Sequence, residues 1–255
     1  MAARPLAIAS AMHEELRALL PLLNPSRVVD IAGRRFHLGT MFGHPVVLAL
    51  SGIGKVAAAS TATLLIDRFD AAALLFTGTA GGLGSGVRVG DVVLARELLQ
   101  HDMDASPLFP RYEVPLTGRS RFAADPGLSD ALAASAGDCL ARAGQLLAAH
   151  ADEFGIRQPR LHQGLIVSGD RFINRAAESA ALRAGLPDAL AVEMEGAAVA
   201  QVCADFGRPL ALLRTISDRA DDSAHVAFSR FIVEVASVYT RVIVEHWLQT
   251  PALWP

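Results

Sequence analysis

Three carboxylates lie where short apolar stretches of the chain end. Glu15, Glu195 and Asp218 each follow closely on an apolar run of strand-like length. A carboxylate in apolar surroundings needs polar partners, and the vicinal hydroxyls of a sugar are suitable ones. A carboxyl group whose pKa is raised by burial can instead protonate a leaving group, and Asp218 is the candidate for that task. The acids predict acid–base chemistry on a hydroxylated substrate.

The acids also have structural interpretations. Acids in a first helical turn favour the helix dipole, which would account for Glu193 and Glu195. Residues two apart in an extended segment point to the same side, however, so these two could reach one ligand together. Of His13, Glu14 and Glu15, at most one should face a site.

Two glycine clusters follow apolar runs. Residues 51–57 (SGIGKVA) formally match a dinucleotide-binding fingerprint, but no acid ends the next predicted strand to hold a ribose hydroxyl. They do not form a Walker loop, since Ala49 and Val56 replace its Gly and Ser/Thr. A tight strand–helix turn without a cofactor explains them as well. For residues 77–84 (TGTAGGLG) we expect a turn where a flat ligand meets exposed backbone amides.

Metal and nucleophile motifs are weak in this chain. His101, Asp102 and Asp104 have a spacing that allows a shared ion, but no other segment offers an obvious companion ligand. No G-x-S-x-G nucleophile elbow is present. Cys139 and Cys203 have no CxxC spacing and predict neither a disulfide framework nor a zinc site. We therefore expect no metal and no cofactor.

The composition is typical of a globular protein, and the overall charge does not favour binding to nucleic acid or to an acidic membrane. Of 255 residues, 52% are hydrophobic and 19% charged. The net charge of −3 and the pI near 6.2 give no reason to expect binding to nucleic acid or an acidic membrane. No apolar stretch reaches the roughly 18 residues of a membrane span. The short apolar run near the N-terminus is broken too early for a signal peptide, so we expect a cytoplasmic enzyme.

The order of elements favours a single α/β domain over residues 1–255, with a mixed or parallel sheet flanked by helices. Several predicted strands are apolar throughout, as strands covered on both faces are. The polar residues 101–125 are expected to form a long loop. Strands are predicted at 6–10, 27–31, 35–41, 46–50, 73–78, 91–100, 161–168, 189–193 and 209–217, and helices at 14–23, 55–69, 127–143, 176–184, 195–206 and 226–249.

Taken in order, these clusters closely resemble the 5′-methylthioadenosine/S-adenosylhomocysteine nucleosidases of the nucleoside phosphorylase superfamily. The resemblance implies a mixed sheet that closes into a distorted barrel flanked by helices, usually in a homodimer. Its motifs are spread over nearly the whole chain, and no single one would suffice. They are residues 11–15, 51–56, 77–83, 89–93, 101–104, 164–173, 192–195 and 214–218.

The resemblance also implies roles for individual residues. Glu15 resembles the carboxylate that activates the attacking water, Glu195 the group that grips the ribose hydroxyls, and Asp218 the acid that shares a proton with purine nitrogen 7. Ser217 would orient Asp218, and Arg214 would support the acids. The remaining substrate-binding positions are Met12 and Glu193, Met194 against the sugar, Thr79, Ala80 and Gly81 at the sugar–base junction, Phe172 and Ile173 at the base, and Ile53 and Phe228 at the 5′-thio group.

The implied reaction is hydrolysis of the N-ribosidic bond of methylthioadenosine and S-adenosylhomocysteine, with 5′-deoxyadenosine as a further candidate substrate. It would serve methionine salvage and the recycling of S-adenosylmethionine by-products. The alternative is a phosphate-dependent purine nucleoside phosphorylase, which would need cations for the phosphate, and these are scarce near the glycine clusters. A non-catalytic nucleoside-binding protein and a dinucleotide-dependent reductase are weaker alternatives. Residues 107–118 depart from the family pattern, which leaves the preferred 5′-substituent open.

Overall fold

Five strands of the sheet close into a barrel, and the rest extend from it. The computed structural model describes residues 3–220 and 228–250. The closed ring follows the order β5–β10–β6–β8–β9 and returns to β5, while β1, β4, β3 and β2 continue outward from β5 and β7 pairs with β6. The strands are β1 Leu6–Ser10, β2 Asn24–Ile31, β3 Arg34–Met41, β4 His44–Leu50, β5 Ala73–Gly82, β6 Val92–Gln100, β7 Arg121–Ala123, β8 Leu161–Ser168, β9 Ala189–Glu193 and β10 Leu210–Asp218. The predicted α/β fold, with a mixed sheet that forms a barrel, is therefore confirmed.

Strand β5 changes neighbours along its length, and this creates a gap in the sheet. Its first half pairs in parallel with β1, ending at the register Ser10–Thr77. Its last residues pair antiparallel with β9, beginning at Gly81–Val192. Ligands of open α/β sheets bind where strand order changes at the carboxyl ends of the strands. The fold therefore positions a site beside residues 78–80.

The glycine cluster at 77–84 is largely strand rather than the turn that we predicted. Strand β5 continues through Gly82 because its backbone pairs with β10 as far as Asp218. A Cβ atom on Gly81 would lie 2.9 Å from the Cβ of Ala220 and 3.0 Å from Asp218 Oδ1. The glycine is needed because β5 passes close to the end of β10 and to Ala220 just beyond it, and local turn chemistry does not reveal this requirement.

The helices cover both sides of the sheet. One hydrophobic cluster joins β1, β4 and β5 to α1, α3 and the C-terminal helix, and a second joins the opposite side of the sheet to α2 and α7. No helix in the described ranges is long and apolar enough to cross a membrane. The helices are α1 His13–Leu19, α2 Lys55–Asp67, α3 Pro126–Ala141, α4 Ala143–Leu147, α5 Ala149–Glu153, α6 Ala176–Gly185, α7 Gly196–Asp205, α8 Phe228–Phe231 and α9 Ser237–Gln249.

Several predicted boundaries were wrong. Helix α1 ends at Leu19 and gives way to a 3₁₀ turn, Leu20–Leu22, because Pro21 cannot donate an α-helical hydrogen bond. The predicted loop at 101–125 contains the short strand β7. In the last predicted helix, α8 and α9 are joined by a π-helical segment, Ile232–Ala236, and the predicted start at 226–227 lies outside the described residues.

Candidate active site

One cavity opens at the gap beside β5, where the carboxyl ends of several strands converge. It encloses about 760 Å³ including its open mouth. All of the residues that the sequence analysis assigned to a site line this cavity, although the lining alone does not test their roles. They are Met12, Glu15, Ile53, Thr79, Ala80, Gly81, Phe172, Ile173, Glu193, Met194, Glu195, Arg214, Ser217, Asp218 and Phe228.

Glu15 is a buried carboxylate in the first turn of α1. Its side chain is 1% exposed, and its Oε2 accepts a hydrogen bond from the Met12 amide at 3.3 Å. Its Oε1 has no hydrogen-bond partner within the described parts of the chain, although the nearby Thr79 amide helps to lower the pKa. Burial outweighs the opposing effect of Arg214 and raises the pKa of Glu15 to about 7. Such a group can exchange a proton near neutral pH.

Glu195 lies just before the first residue of α7 and faces the same cavity. Its Oε1 accepts a hydrogen bond from the Gly54 amide at 2.8 Å, a contact that links β9 to the turn before α2. Burial and the neighbouring Glu193 carboxylate raise the pKa of Glu195 to about 7, while Arg214 acts in the opposite direction. Glu15 and Glu195 are therefore two buried acids that share one cation.

Glu193 and Arg214 form a buried ion pair at the back of the cavity. Arg214 Nη2 lies 2.6 Å from Glu193 Oε2, and its Nε donates to the same oxygen at 3.2 Å. The Glu193 carboxylate also accepts hydrogen bonds from the Gly196 amide and from the Ser168 hydroxyl, whose oxygen accepts from the Ala197 amide. Glu193 is thus occupied with protein donors, and it holds Arg214 and the start of α7 in place.

Asp218 ends β10 on the opposite side of the cavity. Its Oδ2 accepts from the Ser217 hydroxyl at 2.7 Å and its Oδ1 from the Ala220 amide at 2.7 Å. The Ser217 hydroxyl also lies 3.4 Å from the carbonyl oxygen of Ala80. These contacts fix the orientation of the Asp218 carboxyl group at the rim of β5.

The mouth of the cavity is apolar. Phe172 follows β8 and is 47% exposed, while Phe228 begins α8, and their ring centroids are 6.2 Å apart. Ile53 is 60% exposed in the turn before α2, and Ile173 is buried behind Phe172. Exposed aromatic and aliphatic side chains around an opening are suited to cover a flat, partly apolar ligand.

Sequence reasoning missed a few positions of this site. Ala11, Gly78, Arg171 and Val192 also line the cavity, and Ser168 supports it from behind. Gly78 has a steric reason to be glycine, because an added Cβ would lie 2.9 Å from Arg214 Nη1 and 3.3 Å from Glu15 Oε1. In the sequence, only its position in a glycine cluster marks Gly78. That position does not show which glycine of the cluster lines the cavity.

The start of α2 is already occupied by protein carboxylates. The Gly54 amide donates to Glu195, and the Lys55 amide donates to Asp170 Oδ1 at 2.8 Å. A phosphate group at this helix start would meet two carboxylates, which argues against the dinucleotide-binding interpretation of residues 51–57. The turn-without-cofactor interpretation fits these contacts.

The possible metal ligands near residue 101 do not form a cluster. Asp102 instead pairs with Lys55 Nζ at 2.6 Å and accepts from the Asp170 amide at 2.9 Å. Within residues 3–220 and 228–250, three potential ligands converge only at His150, Glu153 and Glu234, which do not line the cavity. Both of these glutamates are paired with Arg230.

Comparison with known proteins identifies the family and several similar structures. A family model described as "Phosphorylase superfamily" matches residues 5–248. The 5′-methylthioadenosine/S-adenosylhomocysteine nucleosidase of Neisseria meningitidis, solved in complex with methylthio-immucillin-A, is 34% identical with a TM-score of 0.82. The match covers 97% of this chain and 100% of that one.

Two further structures show the same similarity. The MTA/SAH nucleosidase of Streptococcus pneumoniae in complex with 8-aminoadenine is 32% identical, with a TM-score of 0.83 and coverage of 96% and 99% of the two chains. The corresponding enzyme of Colwellia psychrerythraea 34H in complex with adenine is 32% identical, with a TM-score of 0.82 and coverage of 97% and 95%.

Proposed function

This chain belongs to the phosphorylase superfamily, and we propose that it hydrolyses the N-ribosidic bond of 5′-methylthioadenosine and S-adenosylhomocysteine. The products are adenine and a ribose that keeps its 5′-thio substituent. The observation that carries the proposal is the convergence of Glu15, Glu195 and Asp218 on one cavity from three separate elements. Cleavage of a ribosidic bond passes through a cation-like sugar, and three carboxylates can divide the work that this requires.

Each acid is assigned one task. Glu15 accepts a proton from the attacking water, whose oxygen forms the new bond to the anomeric carbon. Asp218 donates a proton to purine nitrogen 7, so that adenine leaves with the electrons of the broken carbon–nitrogen bond. Glu195 accepts hydrogen bonds from the ribose 2′- and 3′-hydroxyls. The pKa of Glu15 near 7 supports its role, because a base is most effective when its pKa is close to the working pH.

Hydrolysis is favoured over phosphorolysis by the charge of the cavity. A phosphate would need an available cation, but the buried cation of the site, Arg214, already pairs with Glu193. Glu15 and Glu195 would repel the anion as well. Arg171 also lines the cavity, but its side chain is 74% exposed and pairs with Glu178.

The substrate class is supported by the shape of the mouth and by the similar structures. Phe172 and Phe228 offer aromatic faces to a purine and its substituent, and Ile53 adds apolar surface for a thioether. Structures similar to this chain contain adenine, 8-aminoadenine or methylthio-immucillin-A. An adenine nucleoside with an apolar 5′ group fits both observations. The homodimer implied by the resemblance is part of the same proposal, and sedimentation equilibrium tests it.

The deciding experiment measures free adenine released from methylthioadenosine by the purified protein. The assay is run first in phosphate-free buffer with a chelator and then with phosphate added. We expect the same rate in both conditions. Release that depends on phosphate would make the protein a phosphorylase, and no release in either condition would exclude methylthioadenosine as a substrate.

A further inference from the structure

Lys55 is the only lysine in the chain, which also has 22 arginines. It is the first residue of α2, next to Ile53 and Gly54 of the cavity wall. Its side chain is only 16% exposed. The one ammonium side chain of the protein therefore lies at a largely enclosed position.

The Lys55 side chain and main chain both take part in a closed ring of polar contacts. Lys55 Nζ donates to Asp102 Oδ1 at 2.6 Å. The other oxygen of Asp102 accepts from the Asp170 amide at 2.9 Å. Asp170 Oδ1 in turn accepts from the Lys55 amide at 2.8 Å, which closes the ring. A further contact from Lys55 Nζ to Gln100 Oε1, at 3.1 Å, attaches the ring to the end of β6.

The ring joins two segments that both line the cavity. Lys55 follows directly on Ile53 and on Gly54, whose amide holds Glu195 at 2.8 Å. Asp170 is two residues before Phe172, and both Phe172 and Ile173 line the cavity. A change in the ring would therefore move the base-side wall, the 5′-side wall and the Glu195 carboxylate relative to one another.

We propose that Lys55, with Asp102 and Asp170, is a positioning clamp that sets the width of the substrate cavity without touching the reacting atoms. The proposal rests on the function proposed above, because it assigns Ile53 and Phe172 to the two ends of the nucleoside. The clamp acts on substrate binding, since Glu15 and Asp218 are not part of the ring. Loss of contacts made equally in the ground state and the transition state raises KM and leaves kcat unchanged.

The geometry also explains why lysine occupies this position. One compact ammonium group bridges the Asp102 carboxylate and the Gln100 carbonyl from a largely enclosed position. An arginine has a wider planar fork with fixed donor directions, and it cannot occupy the same volume. Lys55→Arg keeps the charge and is expected to restore only part of what Lys55→Met loses.

The test compares steady-state kinetics of wild type, Lys55→Met, Lys55→Arg and Asp102→Asn with methylthioadenosine. We expect KM to rise about tenfold in Lys55→Met and Asp102→Asn, since a hydrogen bond to a charged group contributes at least that factor, while kcat stays within about threefold. The double variant is expected to be no worse than either single one, because each already opens the ring. Arg68→Met is the matched control, since Arg68 is an exposed cation at the other end of α2.

Two kinetic outcomes would overturn the clamp. An unchanged KM in both Lys55→Met and Asp102→Asn would show that the ring does not set the cavity. A lower kcat with unchanged KM would show a loss of folded enzyme, which is a purely structural effect. If Lys55→Met does not fold, Asp102→Asn carries the test alone.

Hydrogen exchange separates this proposal from the proposed function. We expect the amides of residues 168–173 to exchange faster in Lys55→Met than in wild type and Arg68→Met, because the Asp170 amide is part of the ring. Equal exchange in all three proteins would overturn the clamp even if the wild type releases adenine. If Lys55→Met exchanges faster but the wild type releases no adenine, the clamp is kept and the proposed substrate is rejected.

Discussion

The three buried glutamates near Arg214 fall into two groups, and these groups differ in how many hydrogen-bond donors they meet. The first group is Glu193, whose carboxylate accepts from Arg214, Ser168 and the backbone at the start of α7. The second group is Glu15 and Glu195, which are equally buried but accept few hydrogen bonds from the protein. Burial and residue type are the same in both groups. What differs is the hydrogen-bonding capacity that remains for a ligand.

This difference shows how an ion pair can serve a site without acting in the reaction. A buried carboxylate with a full set of donors is stable as an anion, whereas one with few donors has its pKa raised by desolvation. Burial raises the pKa of both Glu15 and Glu195 to about 7. Arg214 supplies the positive charge that opposes this increase, whereas the Glu193 carboxylate adds to it at Glu195. The first group fixes the site, and the second remains available to a substrate.

The largest expected effect is on stability, from Arg214→Met. This change leaves the buried Glu193 charge without its cation, and removal of one partner of a buried pair destabilises a protein by about 3–5 kcal/mol. Urea denaturation at pH 7 measures the free energy of unfolding. The double variant Arg214→Met/Glu193→Gln is expected to regain part of the loss. A single variant as stable as wild type would mean that the pair is not needed to hold the site.

Glu15→Gln is expected to reduce activity without the loss of stability that Arg214→Met causes. The amide cannot accept the proton of the attacking water, so kcat should fall by about 10³-fold, as expected for loss of a general base. In the wild type, kcat/KM should fall as the pH decreases through about 7, because protonation removes the base. Adenine release from pH 5.5 to 8.5 tests both statements. A flat wild-type profile would contradict the role of Glu15.

Asp218→Asn is expected to reduce turnover by about 10²-fold. Asparagine keeps the shape of the side chain but has no acidic proton to give to the leaving base. Single-turnover adenine release isolates this step from product release. Near-normal turnover would remove Asp218 from the mechanism, and Ser217→Ala is the companion variant, since Ser217 only orients the carboxyl group.

A stability change of about 3 kcal/mol should accompany the raised pKa of Glu15. The folded protein holds this proton up to about pH 7, whereas the unfolded chain releases it near the ordinary glutamate pKa of 4.5. Wild-type stability therefore falls as the pH rises from about 4.5 to 7. Glu15→Gln cannot lose a proton and should gain stability relative to wild type at pH 8 but not at pH 4.5. Thermal unfolding at both pH values measures the difference, and an equal effect at both would show that the pKa is not raised.

The smallest expected effect is on ligand affinity. Glu195→Gln should weaken binding of a riboside by about tenfold, because one charge-assisted hydrogen bond becomes a neutral one. Binding of free adenine should hardly change, since adenine has no ribose hydroxyls. Isothermal titration with adenine and with a non-hydrolysable riboside gives both values. An equal loss for the two ligands would mean that Glu195 is structural.

The sequence predicted most of the elements, because several strands are apolar throughout and end at polar residues. β1, β8 and β9 have the predicted bounds. Errors occurred where local signals compete with pairing, as in β5, whose glycines looked like a turn but pair with β10. The short helices α4 and α5 were not predicted, since five residues contain too little periodicity to be recognised.

The candidate site shows the same division between local and long-range information. The sequence by itself determined which residue types lie at the strand ends and which motifs resemble a known family. Only the tertiary structure decided that Glu193 is saturated by Arg214 while Glu15 and Glu195 remain open. The same holds for Lys55, whose partners Asp102 and Asp170 are far from it in the chain. Burial, hydrogen bonding and pKa all depend on neighbours that folding brings together, and a linear pattern does not contain those distances.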